Sequence, residues 1–349
     1  MVGRGLVGLC CATAVARTGR RVTLVGHRHR GEASPAAAGM LAPSVEQASG
    51  PAHRFAIAAR DFYPEFIESL ADSTGIRVSL NRLGILQVAL TEKGVRGLQK
   101  TAPPESRWLN RRELSELEPA LGHAIGAVHN PDDGAVDNVA LIAALTTLVE
   151  MTDLISSLEG EAELVEPGAR GIAVRLASGE SLEGENVVLA PGAWGASIGG
   201  APGLAAVQPS RGQLVSYRST PLRHVTYGPG GYLVPRTSGA IIAGSTMENV
   251  GFDSDTTPEG VEKVRSAAEE IAPALAVTEV TDSWAGLRPV TPDMLPVIGH
   301  DPDVPAIIYA CGHARNGILL APLTGETVAA LVSGKPVSHD LSQFRPGRF

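Results

Sequence analysis

Cysteine is scarce, long apolar runs are missing and positive charge is outnumbered in this chain of 349 residues. The cysteines are Cys10, Cys11 and Cys311, an odd number with two of them adjacent. A disulfide framework does not fit that set, so a reducing, cytoplasmic setting is expected. No stretch reaches the roughly 18 to 20 consecutive apolar residues of a spanning helix, so no membrane span is expected and any membrane contact would be peripheral. With 29 basic against 37 acidic residues the formal charge is −8. Without a broad electropositive field, nucleic acid is not an expected partner. No His, Cys, Asp and Glu cluster has metal-ligand spacing, and neither an internal repeat nor a low-complexity tract is present.

Apolar residues make up 44% of the chain, more than one core usually serves at this length, which points to two lobes around separate cores. Glycine (40) and proline (25) are together about 19%, above average but below the range of disordered chains. Arg4 followed by an apolar stretch over 6–16 has the outline of a signal peptide. However, Arg20 and Arg21 lead straight into Val22-Thr23-Leu24-Val25, and a helix followed by a buried strand accounts for more of the sequence.

The start reads Gly3-Arg4-Gly5-Leu6-Val7-Gly8, a G-x-G-x-x-G opening an Ala-rich helix that runs to about Arg17, with Gly19 at its C-terminus. Such glycines let the backbone turn tightly, approach a pyrophosphate and pack the helix on the sheet. By itself the hexapeptide is a weak signal in so glycine-rich a chain. Two features depart from the dinucleotide pattern. Only Met1 and Val2 precede Gly3, where a strand of five or six residues is expected, so the initiator is expected to lie upstream. Gly26-His27 stands where an acidic residue would meet ribose hydroxyls.

Further along, Phe55, Ala59, Phe62, Phe66 and Leu70 recur at helical spacing over 53–74, ending near Gly75. Residues 83–90 read as a strand. A helix over 137–150 is capped by Asp137, with Val139, Ile142, Leu145 and Val149 on one face. Strands follow at 172–176 and 186–190, separated by the turn Ser178-Gly179-Glu180. From 212 to 244 the pattern becomes strand, turn, strand (213–217, 232–235, 240–243), an antiparallel platform. A helix over 258–271 has Thr257 as cap and proline at its first position. The last apolar helix spans about 318–332 and stops at Gly334-Lys335-Pro336.

Gly31-Glu32-Ala33-Ser34-Pro35-Ala36-Ala37-Ala38-Gly39-Met40-Leu41-Ala42-Pro43 keeps side chains small, so that backbone amides could meet a flat ring and its phosphates. This segment resembles the flavin-contacting stretch of the D-amino-acid oxidase superfamily, and most closely that of the glycine oxidases of thiamine biosynthesis. Six later segments resemble the same family in order: Val187-Val188-Leu189-Ala190-Pro191-Gly192-Ala193-Trp194, Arg211-Gly212-Gln213, Tyr232-Leu233-Val234-Pro235-Arg236, Gly244-Ser245-Thr246-Met247, Trp284-Ala285-Gly286-Leu287-Arg288-Pro289 with Pro296-Val297-Ile298-Gly299, and Gly312-His313-Ala314-Arg315-Asn316-Gly317-Ile318-Leu319.

The resemblance implies an α/β fold, with a Rossmann-like FAD-binding domain (1–78, 128–208 and 285–349) and an interleaved α+β substrate domain built on an antiparallel sheet (79–127 and 209–284). It implies that non-covalent FAD contacts Gly3, Gly5, Leu6, Val7 and Gly8, then Gly26, His27, Ala33, Ser34, Ala38, Gly39, Met40 and Ala162, and finally His313, Ala314, Arg315, Asn316, Gly317, Ile318 and Leu319. Cys311 does not match the thiol that holds flavin covalently in related sarcosine oxidases. For the substrate it implies Arg288 as the carboxylate-binding arginine, Arg315 near substrate and flavin, and Tyr232 and Met247 as pocket residues. A guanidinium fork suits a carboxylate and stays charged. Hydride transfer from a neutral amine needs alignment rather than a base, and His313 is placed as a flavin contact. The implied activity is oxidation of glycine or a similarly small amine to the imine, with oxygen as acceptor and peroxide released. The alternatives are a D-amino-acid or sarcosine dehydrogenase with another acceptor, and a non-catalytic remnant that binds FAD weakly. Self-association as a homo-oligomer is compatible with these features.

Overall fold

The computed structural model describes residues 1–46, 48–218 and 221–349. Near the N-terminus a mainly parallel sheet is joined at its middle by very little chain. Val22–Val25 pairs in parallel with Ile155–Leu158, and Val187–Leu189 pairs in parallel with Ile307–Cys311, which Val297–His300 flanks antiparallel. Val2 alone bridges the two halves, in parallel with both Val25 and Leu189. Its amide donates to the Val188 carbonyl at 2.8 Å and its carbonyl accepts from Ala190 at 2.8 Å. Met1 and Val2 thus occupy the position between the two halves where a longer strand was expected. A slot of about 460 Å³ opens beside it, lined by Val15, Val22, Val174 and Val187.

The helix Leu6–Arg17 ends as expected, with Gly19 at φ +85°. It packs on the last helix, Gly317–Val332, where a methyl at Gly325 would stand 2.7 Å from the Cys10 carbonyl oxygen. Cys10, Cys11 and Cys311 are free and buried; burial pushes the Cys311 thiol up to about 12. Pro322 sits inside the last helix and has no amide to offer the Ile318 carbonyl one turn earlier. The hydroxyl of the fully buried Tyr63, on the helix Gly50–Thr74, donates to that carbonyl instead. Gly50–Thr74 begins three residues before the predicted start, with Pro51 in its first turn, and ends at Gly75 in the left-handed conformation. Asn138–Met151 is capped by Asp137, as read from sequence. Its buried face runs through Asn138, Leu141, Leu145 and Val149, whereas Val139 is 59% exposed. The predicted stripe was rotated because a buried asparagine, not a valine, opens the inward face.

The second sheet has eight strands in the order Val280–Val290, Gln208–Tyr217, Ile241–Gly244, Gly231–Pro235, Val225–Gly228, Ile85–Ala89, Gly126–Asn130 and Arg107–Asn110. All neighbours are antiparallel except Val225–Gly228 beside Ile85–Ala89. That pair cannot be a hairpin, because the chain leaves after residue 89 and returns more than a hundred residues later. Pro258–Ile271, capped by Thr257, covers one face through Val264, Ala268 and Ile271. A small antiparallel sheet of Ala162–Gly168, Gly171–Leu176 and Ser181–Gly184 carries the predicted turn at Gly179, which leads into a strand the sequence reading omitted. The buried apolar residues form four clusters, the largest around the first and last helices and another beneath the eight-stranded sheet. Among the described residues no helix is long and apolar enough to cross a membrane.

Candidate active site

One cleft runs from the glycine loop to the eight-stranded sheet, and the chain lines it from its start, middle and end. At the glycine loop, Gly3 has φ +106°, and a methyl there would enter the Ala190 carbonyl; Gly8 backs against the Gly3 carbonyl in the same way. The helix that follows carries no side-chain cap and no acid in its first turn, so its positive end faces the cleft at Gly5, Leu6 and Val7. The Leu6 amide donates to Ser34 Oγ at 3.2 Å, which ties the 31–39 segment to the loop. Gly26 stands where an acid was expected, and Arg4 lies over it: a Cβ at Gly26 would be 2.9 Å from Arg4 Cγ. His27 and His29 follow, and His29 stacks on Trp194 at 4.0 Å between ring centroids. Burial, then the neighbouring His27, lowers the affinity of His29 for a proton.

The other end of the cleft is built on strands. Arg288 donates from Nη1 to the Thr246 carbonyl at 3.1 Å and from Nη2 to Ser245 Oγ at 2.6 Å. Its guanidinium lies over Gly212, where no side chain stands in the way. Tyr232 is buried and its ring is 5.6 Å from that of Tyr227. Arg315 Nη2 donates to Glu46 Oε1 at 2.9 Å and to the Tyr227 hydroxyl at 2.7 Å. Burial raises the Glu46 carboxyl above its usual range, although Arg315, Tyr227 and Arg288 all oppose that shift. The loop that carries Glu46 is anchored by Ser44, whose amide and hydroxyl both donate to the buried Asp133 at 3.1 Å. Arg60 completes that anchor 3.0 Å from Asp133. Burial leads the rise of Asp133 to about 6, against the pull of Arg60 and Ser44.

His313 is fully buried, its Nε2 lies 3.1 Å from Thr324 Oγ1, and burial lowers it to about 3. It is therefore neutral at ordinary pH and is not a charged partner for either end. The last helix begins at Gly317 without a side-chain cap, and Gly317 and Ile318 line the cleft.

Of the residues read from sequence, Gly3, Gly5, Leu6, Val7, Gly26, His27, Ala33, Ser34, Ala38, Gly39, Met40, Ala162, His313, Ala314, Arg315, Gly317, Ile318, Tyr232 and Arg288 all line this cleft. Gly8, Asn316, Leu319 and Met247 do not; Met247 is 53% exposed, and Ser245 takes the place on the wall. Glu46, Tyr227 and His29 escaped the sequence reading. Glu46 is six residues beyond Met40 and has no periodicity to flag it, and Tyr227 lies on a strand not foreseen. Among the described residues no group of three His, Cys, Asp or Glu side chains could hold a metal.

The cleft fits a dinucleotide with a flat ring. Two uncapped helix N-termini suit anionic groups. Gly3 and Gly39 hold backbone where a side chain would collide, Gly39 against the Val136 carbonyl. His29 and Trp194 add a stacked pair of rings to the wall.

A family model described as FAD dependent oxidoreductase matches residues 1–331. The bifunctional protein ThiO/ThiG of Synechocystis is 34% identical over 360 residues, covering 100% of this chain and 53% of that protein, so the chain spans about half the length of that relative. Glycine oxidase of Geobacillus kaustophilus is 33% identical over 370 residues, covering 99% of this chain and 95% of that protein. The crystal structure of glycine oxidase from Geobacillus kaustophilus is similar with a TM-score of 0.92 at 32% identity, covering 100% of this chain and 97% of that one.

Proposed function

The chain belongs to the FAD-dependent oxidoreductase family, and from that premise we propose that it oxidises glycine, or a similarly small amino acid or secondary amine, to the imine, passing electrons to oxygen with release of hydrogen peroxide. The imine would supply the thiazole half of thiamine. Support for the substrate comes from one observation above the rest: an arginine fork, Arg288, reaches the FAD cleft over a bare glycine and is oriented by the Thr246 carbonyl and Ser245 hydroxyl.

FAD, when bound, supplies the acceptor for the hydride of the substrate α-carbon. Arg288 would bind the substrate carboxylate through its remaining donors, and Tyr232 would add a phenol hydrogen bond beside it. With the carboxylate fixed, the α-carbon is aligned by geometry, and alignment is what this transfer requires. The neutral, hydrogen-bonded His313 is a wall of the flavin site rather than a proton carrier. The uncapped start of Gly317–Val332 favours negative charge developing nearby. Gly3, Gly5, Leu6, Val7, Ser34 and Ala162 are proposed to hold the dinucleotide, and the divisions 1–78, 128–208 and 285–349 against 79–127 and 209–284 to be its two domains.

The purified protein is expected to be yellow, to bleach with glycine or sarcosine under anaerobic conditions, and to yield peroxide when air is admitted. A reduced flavin that persists in air would move the assignment to a dehydrogenase with another acceptor, and a colourless protein to a non-catalytic remnant. Arg288→Ala is expected to lose about 100-fold or more in kcat/KM, roughly 2.7 kcal/mol of transition-state binding. Wild-type kcat/KM in that variant would remove the carboxylate role.

A further inference from the structure

We propose that Glu46 sets the charge rule of the substrate end: by occupying Arg315 it leaves the arginine pair with one net positive charge, so that the site takes amines bearing one carboxylate and turns away those bearing two. The inference rests on the proposed amine oxidation and deepens it by naming the substrate class. Arg288, Arg315 and Glu46 all line the cleft, and both arginines act on the Glu46 carboxylate.

The pairing is specific. Arg315 Nη2 is shared between Glu46 Oε1 at 2.9 Å and the Tyr227 hydroxyl at 2.7 Å, and the same hydroxyl donates to Glu46 Oε1 at 3.4 Å. Arg315 is thereby drawn onto Glu46 and Tyr227 through Nη2, so a second substrate carboxylate would have to compete with Glu46 for it. Glu46 is the less mobile partner, its side chain 11% exposed against 44% for Arg315. It cannot retreat, because its own amide donates to the Ala42 carbonyl and Ser44 is fastened to Asp133. Arg236 does not line the cleft: it is turned onto the Val136 carbonyl at 3.1 Å and Asn138 Oδ1 at 2.7 Å. A substrate with one carboxylate on Arg288 therefore completes the balance of Arg288, Arg315 and Glu46, and a second carboxylate meets Glu46, which already holds Arg315.

The test compares N-ethylglycine, which is uncharged on its N-substituent, with iminodiacetate, which carries a carboxylate there at similar size. In the FAD-loaded Glu46→Gln enzyme the ratio of kcat/KM for iminodiacetate to that for N-ethylglycine is expected to rise at least about tenfold over wild type, mainly through KM. Glu46→Asp should keep the wild-type ratio, and Arg315→Met, which leaves Glu46 facing Arg288 alone, should lower it. A Glu46→Gln ratio within threefold of wild type overturns the inference. A second readout needs no turnover: titration of the flavin absorbance with acetate and with malonate. The malonate-to-acetate affinity ratio should rise in Glu46→Gln by a similar factor. If no amine reduces the flavin but this ratio rises, the proposed activity falls and the charge rule stands. If sarcosine reduces the flavin and neither ratio moves, the activity stands and the charge rule falls.

Discussion

Replacing Gly212 by alanine tests whether the position of Arg288 governs catalysis, because the change adds one methyl and removes no functional group. Gly212 lies on Gln208–Tyr217, where alanine is conformationally acceptable, and the Arg288 guanidinium rests on the bare backbone. The new Cβ would fall inside van der Waals contact of Cζ, Nη1 and Nη2 together, so the whole fork must lift, by an amount on the order of 1 Å. Lifting it also loosens the bonds to the Thr246 carbonyl and Ser245 Oγ that orient it. A misplacement of that size in a positioning group is worth about 100-fold, or roughly 2.7 kcal/mol at the transition state. The expected result is that kcat/KM for glycine falls by about two orders of magnitude, that acetate perturbs the flavin spectrum less strongly, and that FAD content is unchanged. Thermal unfolding should shift little, since a long side chain ending in a partly exposed group can yield more readily than a packed core. If the variant folds with FAD bound and keeps kcat/KM within threefold of wild type, Arg288 either does not bind the substrate carboxylate or adjusts at no cost, and the reasoning fails.

Tyr63→Phe should lower stability by about 1–3 kcal/mol, because the Ile318 carbonyl then has neither the Pro322 amide nor a phenol to satisfy it; differential scanning calorimetry that shows no loss would refute this. His313 has a folded pKa of about 3 against an unfolded value near 6.5, so the unfolded chain binds the extra proton throughout that window. Its contribution to stability is therefore complete above about pH 6.5 and is lost as pH falls towards 3, at a limiting slope of about 1.4 kcal/mol per pH unit. In His313→Gln the fall in unfolding free energy between pH 6 and 4 should be shallower by about that slope, and parallel curves for the two proteins would contradict it.

Elements whose signals are local were legible in the sequence. The first helix, its glycine stop, the caps Asp137 and Thr257 and the strand at 22–25 all follow from residues within one turn of the feature they mark. What the sequence hid depends on partners far along the chain. Val139 has the apolar character of a core residue, but the inward face is chosen by where Asn138 must reach: its side chain donates to the Ser34 carbonyl at 2.8 Å and accepts from Arg236. Ala162–Gly168 was passed over because Glu163 and Glu166 interrupt its apolar pattern, and in the folded chain both are exposed on a small sheet. The short lead into Gly3 was legible in the sequence. Only the structure shows that Val2 still forms both ladders. In the site, the glycine and alanine segments were visible because they must be small wherever backbone approaches a ring. Glu46 was not, because a single carboxylate acquires its role only when a loop anchored by Asp133 brings it to Arg315.

One strand fixes Arg288 relative to the 31–39 segment. In Val280–Val290 every second side chain faces the same way, and Trp284, Gly286 and Arg288 divide the work along that face. Trp284 Nε1 donates to the Ala36 carbonyl at 2.9 Å. Gly286 leaves room for the Ala36 methyl, which would otherwise meet a Cβ at 2.5 Å. Arg288 projects its guanidinium over Gly212, the residue that pairs with Gly286 on the next strand. From the edge of the same strand the Leu287 amide donates to the Gly31 carbonyl at 2.8 Å. The segment tied down by these contacts is the one whose Ser34 holds the amide at the start of the first helix. Two glycines paired across neighbouring strands thus receive, respectively, the Ala36 methyl and the Arg288 guanidinium, about 5 Å apart across the ladder. A side chain at either position would move one group relative to the other. The spacing between the Arg288 guanidinium and the 31–39 segment, the proposed carboxylate and flavin sites, is therefore set by sheet register.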